Sequence, residues 1–99
     1  VEFLLNIEFT TPASLKESEL DLLRKQESAR AKQLAEMGVL VRLWRVPGKW
    51  ANWGLWRADD AQELSSFVDS LPLRRYAAVT VHPLEPHPSD PDIQGQLGK

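Results

Sequence analysis

The chain has no cysteine, so disulfides, thiolate chemistry and metal thiolate sites are excluded. It has no apolar run near the ~18 residues a membrane span needs. Its first residues lack the basic region of a secretory signal. It also lacks a basic excess: a net charge of -2 and a pI near 5.6 argue against a nucleic-acid groove or an anionic membrane as partner. A cytoplasmic protein is the default expectation. Ninety-nine residues form one domain that buries only about two thirds of its unfolded surface, so partner subunits would help.

What is present is concentrated in one stretch. Residues 42–56, RLWRVPGKWANWGLW, hold all four tryptophans of the chain. Two β-branched and aromatic runs, 39–46 and 50–57, flank Pro47-Gly48, which suits the centre of a type II turn. This predicts a hairpin. Alternation along its first arm sends Leu40, Arg42, Trp44 and Val46 one way and Val39, Val41, Leu43 and Arg45 the other. Arg45 then shares a face with three aliphatic neighbours, where a guanidinium calls for a bound anion or a carboxylate partner.

Val1, Phe3, Leu5, Ile7 and Phe9 alternate with polar residues, broken only by Leu4, as in a half-buried strand. Ser14 and Glu17 read as a capping box opening a helix from Leu15 to Met37, with Gly38 closing it. The apolar seam of that helix is Leu20, Leu23, position 27, Ala31, Leu34 and position 38. Position 27 is a glutamate. A carboxyl within an apolar seam loses water, which raises its pKa and suits it to work as a general base. The alternatives are a seam-edge residue that reaches solvent, a pair with Arg24, Lys25 or Arg30, or an internal pair with Arg45, which would lower the pKa.

Asp59 or Asp60 can cap a second helix with the stripe Leu64, Phe67, Val68 and Leu71, stopped by Pro72. Tyr76 to Leu84 then reads as the last strand. The order β-α-β-β-α-β predicts an α+β, ferredoxin-like domain over residues 1–84, a four-stranded antiparallel sheet with both helices on one face. Four hairpin tryptophans are more than a wet sheet face should carry, so dimerisation through the sheet, or a ligand on it, is expected. Residues 85–99 form a tail in which Pro86, Pro88 and Pro91 favour an extended path. It is either loose or a strap on a neighbouring subunit up to Ile93, with mobile last residues. His87 and His82 read as surface residues rather than catalysts.

LWRVPGKWAN at 43–52, SLPLRRY at 70–76 and PLEPHPSD at 83–90 resemble the motifs of the muconolactone isomerase family over essentially the whole chain, including the glutamate at position 27. The resemblance implies a ferredoxin-like fold and a dimer unit within a ring-like decamer. It also implies an active site near subunit boundaries with no metal and no organic cofactor. The substrate implied is a small lactone carboxylate of aromatic catabolism. Glu27 would move a proton from C4 to C2 through a dienolate, and Arg45 would hold the substrate carboxylate. Asn52 and Tyr76 would donate to the dienolate oxygen, and Trp44 or Trp53 would wall off water. Lys49 and Trp50 stand where histidine and tyrosine are expected, Arg42 where histidine is usual, and Arg74-Arg75 where an aromatic and a proline are usual. These departures fall around the expected pocket and bear on the substrate.

A chloromuconolactone dehalogenase would use the same base and clamp but expel chloride from the dienolate. A non-catalytic ferredoxin-like binding module is the alternative of another class, weakened by the acidic balance and the lack of a basic aromatic RNA-binding motif. A haem-degrading or quinone-forming oxygenase suffers from having only two histidines.

Overall fold

The computed structural model describes residues 1–92. Strands β1 (Glu2–Phe9), β2 (Leu40–Arg45), β3 (Ala51–Arg57) and β4 (Ala77–Leu84) form one sheet in the order β2-β3-β1-β4. All neighbours are antiparallel. Helix α1 (Glu17–Glu36) follows β1 and helix α2 (Ala61–Asp69) follows β3. The fold is ferredoxin-like. Among the described residues, no helix is long and apolar enough to cross a membrane.

Period-two patterning puts Phe3, Leu5 and Ile7 of the central strand on the helix side, all buried. They meet Leu34 of α1, Leu64 and Val68 of α2, and Trp56 of β3 in one core. Gly54 lies beside Trp56 on β3, and a Cβ there would stand 2.7 Å from the indole nitrogen. The bare backbone of Gly54 is what lets the largest core side chain lie flat against the sheet.

Helix α1 begins two residues later than its capping box predicts. Leu15 N–H donates to the Pro12 carbonyl (3.0 Å), closing a turn, and Lys16 becomes the N-cap without a side-chain cap bond. At the other end the expectation of Gly38 holds: it adopts φ 78°, its N–H donates to Ala35, and Val39 N–H donates to Leu34 at 2.9 Å. These two bonds make a Schellman termination. In α2, Asp60 accepts from Glu63 N–H (2.8 Å) while the Glu63 carboxylate accepts from Asp59 N–H (3.0 Å). Tyr76 is not in the last strand. It ends a 3-10 turn, Arg74–Tyr76, and β4 starts at Ala77.

The hairpin forms as a type II turn should, with Gly48 at φ 75° and Lys49 N–H donating to the Val46 carbonyl at 3.4 Å. Its simple alternation does not survive. The register shifts between Leu40, opposite Trp56, and Arg42, opposite Leu55, so Val41 is an extra residue in a β-bulge. Leu40, Leu43 and Arg45 therefore lie on the helix side, and Arg42 and Trp44 on the open side. Arg45 is exposed in the single chain instead of sitting among three aliphatic neighbours.

The four tryptophans also divide. Trp56 is in the core and Trp50 stacks on Phe9 on the helix side (centroids 4.9 Å apart). Only Trp44 and Trp53 occupy the open face, directly opposite one another and 42 % and 37 % exposed. Residues 85–92 run exposed beyond β4, with a turn in which Ser89 N–H donates to His87 Nδ1. The expected strap end at Ile93 and the mobile last residues lie outside the described residues.

Candidate active site

Glu27 lies midway along α1 on the seam that includes Leu23, Ala31 and Leu34. The sheet side of the helix therefore carries a carboxyl, half-buried, at the mouth of a cleft of about 960 Å³. Oε1 of Glu27 accepts the backbone N–H of Leu73 at 2.9 Å. Burial raises its pKa above the ordinary value of 4.5, and the Leu73 N–H works in the opposite direction. Desolvation wins because a single neutral donor offsets only part of the lost hydration.

The ion-pair readings of Glu27 fail. The ion pairs among the described residues join Lys49 to Glu8, Arg57 to Glu2 and Arg74 to Asp69. Arg30 instead donates to Ser70 Oγ and Gln33 Oε1, both at 3.0 Å. Arg24 lies over the Trp50 ring, its guanidinium carbon 4.9 Å from the ring centroid.

The opposite wall of the cleft comes from the hairpin. Arg45 and Asn52 face each other across β2 and β3, both on the helix side and both lining the cleft. The bulge at Val41 sets this orientation. Asn52 Oδ1 is buried without a hydrogen-bond partner. Lys49 and the Phe9–Trp50 stack close the turn end, and Leu43 and Ala31 add apolar wall. The arrangement offers a half-buried carboxyl, two arginines, Arg24 and Arg45, without carboxylate partners among the described residues, and a flat aromatic surface. It can hold an anionic ring and exchange a proton with it.

Glu27, Arg45 and Asn52 thus come together. Trp44 borders the cleft, yet its register position is on the open face beside Trp53. Trp53 and Tyr76 do not reach the cleft. Trp53 sits on the far side of the sheet near His82 (ring centroids 6.0 Å apart), and Tyr76 lies in the 3-10 turn with Arg75 over its ring. Of the unusual residues, Lys49 and Trp50 line the cleft. Arg42 is on the open face, and Arg74 is tied to Asp69 and the Ala77 carbonyl away from the cleft. Sequence reading missed the Leu73 amide, which no side chain announces. It also missed the seat of Arg24 on Trp50, two residues far apart in the chain.

A family model described as muconolactone delta-isomerase matches residues 1–90. The chain belongs to the muconolactone delta-isomerase family. It is an enzyme of that family. The muconolactone delta-isomerase of Cupriavidus pinatubonensis is 31% identical over 87 residues, covering 88% of this chain and 95% of that protein. That of Acinetobacter baylyi is 25% identical over 87 residues, covering 88% and 91%. A crystal structure of a muconolactone isomerase superposes with a TM-score of 0.85 at 25% identity, covering 92% of this chain and 95% of that one. A 5-chloro-2-hydroxyhydroquinone dehydrochlorinase from Burkholderia phenoliruptrix, in complex with 2,5-dihydroxybenzoquinone, shares the fold: TM-score 0.59, 15% identity, 86% and 95% covered.

Proposed function

We propose that the protein isomerises muconolactone or a close carboxymethyl-butenolide in the breakdown of aromatic compounds, as a cytoplasmic enzyme that needs no metal or organic cofactor. The observation that carries this reading is a half-buried carboxyl without an ion pair, Glu27, sharing a cleft with Arg45. Glu27 takes the proton from C4, leaving a dienolate, and returns it at C2 to give the enol-lactone. Arg45 holds the carboxymethyl carboxylate and orients the ring against the base. Asn52, opposite Arg45 in the cleft, would donate through its amide nitrogen to the dienolate oxygen, a role worth up to ~3 kcal/mol per donor in such sites. The apolar wall that keeps water from the base is built by Trp50, Phe9 and Leu43.

The same dienolate would expel chloride if the carbon next to C4 carried it, so a chloromuconolactone dehalogenase is the second reading. It is favoured by Lys49 and Trp50, which line the cleft where the family pattern differs. Incubating purified protein with muconolactone and with 5-chloromuconolactone, following product absorbance and chloride release, separates the two. Turnover of neither lactone rejects both.

Assembly belongs to the same proposal. Trp44 and Trp53 leave an exposed aromatic patch on the open sheet face, which a second subunit would cover in a dimer unit of a ring-like decamer. The proline-rich tail after Leu84, exposed in the single chain, would lie on a neighbouring subunit.

A further inference from the structure

Arg24 and Glu27 are three residues apart on α1, the ordinary spacing for an ion pair on a helix surface. They do not pair. The Arg24 guanidinium lies instead over the indole of Trp50, 4.9 Å from the ring centroid. That indole is itself braced by a stack on Phe9 at 4.9 Å and 25°. Trp50, Arg24 and Glu27 all line the same cleft.

We propose that Trp50 is a positioning residue: by seating Arg24 on its ring it keeps this cation off Glu27 and leaves both groups free for the ligand. The inference rests on Glu27 being the base and deepens that reading. An arginine paired with the base would hold it as a weakly basic carboxylate, and would have to be displaced before the proton could move. An arginine seated on a ring keeps its outward N–H groups available, because a guanidinium stacked through its face can still donate through its edge. The Arg24 guanidinium makes no hydrogen bond or ion pair with the protein among the described residues. Its charge is therefore offered to the ligand ring, from the helix side, while Arg45 takes the carboxylate from the sheet side. As the proton leaves carbon, negative charge moves from Glu27 to the lactone oxygen, and a nearby cation not tied to the base favours that transfer.

The other groups facing Glu27 do not replace this arrangement. Arg45 on β2 and Lys49 in the turn line the cleft without an ion pair to Glu27, and Lys49 is nearest Glu8 at 4.0 Å. From the segment after α2 comes only the neutral Leu73 N–H. Arg30, one turn further along α1, is held by Ser70 and Gln33. Arg24 is thus the helix cation that release from Trp50 would send toward the base.

The test needs no substrate. Full-length protein carrying ¹³C at the glutamate side-chain carboxyls is titrated by NMR, with the Glu27 signal identified by its absence from Glu27→Gln. In Trp50→Leu the Glu27 midpoint should fall, and in Trp50→Leu with Arg24→Gln it should return toward that of the parent. Trp50→Phe, which keeps a ring under the guanidinium, should stay near the parent and serves if the leucine variant folds poorly. An unchanged or raised midpoint in Trp50→Leu overturns the proposal. So does a lowered midpoint that Arg24→Gln does not reverse, because loss of the indole would then act by wetting the carboxyl. Turnover by the parent and its loss in Glu27→Gln test the base assignment separately, so the two readings can fail independently.

Discussion

The Leu73 N–H donates to Glu27 Oε1 at 2.9 Å, joining two positions 46 residues apart. One bond thereby fixes the carboxyl of α1 against the segment that follows α2. It leaves the second carboxylate oxygen for the cleft and holds the side chain in one orientation. In the role proposed for Glu27, a base that reaches two carbons of one ring would benefit from such a pivot.

Replacing Glu27 by Gln should preserve the fold, because the amide oxygen can still accept from Leu73. Proton transfer should drop by on the order of 10²–10⁴-fold. Circular dichroism beside a turnover assay checks this, and activity near the parent level would remove Glu27 as the base.

The pH dependence has a definite sign. The carboxyl's pKa in the folded protein lies above its ordinary 4.5, so the folded state binds more protons than the unfolded one between those two values. Stability contributed by this group therefore falls as pH rises through that window. Glu27→Gln should melt at or above the parent temperature at neutral pH, and the difference should vanish below the ordinary glutamate range. A parent that is the more stable at neutral pH would contradict the desolvation account. For activity, kcat/KM should rise with pH along an acid limb placed above the ordinary glutamate value.

Arg45→Ala should weaken use of carboxylated lactones mainly through KM. A charge-assisted bond contributes roughly 1.5–3 kcal/mol, which corresponds to a loss of about 10- to 150-fold in kcat/KM. An unchanged KM would mean that another cation of the cleft, Arg24 or Lys49, holds the carboxylate.

Gly54→Ala should destabilise the chain by about 1–3 kcal/mol, since the added methyl meets the packed Trp56 indole at 2.7 Å and Leu43 at 3.3 Å. Thermal melting followed by tryptophan fluorescence reads both the stability and the displaced ring. A melting temperature equal to the parent's would show that the ring yields without cost.

Trp44→Ser together with Trp53→Ser should lower the assembled mass seen by light scattering, because the two indoles face each other on the uncovered side of the sheet. Trp53 does not line the helix-side cleft, whereas Trp44 borders it, so the mass of Trp53→Ser alone is read beside the double variant. Identical mass down to low micromolar concentration would place the subunit contact elsewhere.

Much of this arrangement is legible in the chain. The alternation of residues 1–9, the glycine after the long helix, the Pro47-Gly48 turn and the stripe ending at Leu71 are local signals. Each acts through neighbours two to four positions away, which is why sequence reading places the elements in order and finds Glu27 on the inner seam. The N-terminal cap of α1 is a near miss of the same kind, decided by a Pro12–Leu15 turn that competes with the capping box.

Local patterning determined the elements and put a carboxyl and an arginine on facing pieces of chain. The three-dimensional arrangement decided what those groups meet. A single bulged residue, Val41, turned Arg45 toward the helices and Trp44 away from them. Tyr76 and Trp53 were left outside the cleft, while Arg24, Trp50 and the Leu73 amide were brought to it. These outcomes depend on register and on contacts between segments far apart in the chain, and no periodicity encodes them, because a one-residue shift in pairing exchanges the two faces of a strand.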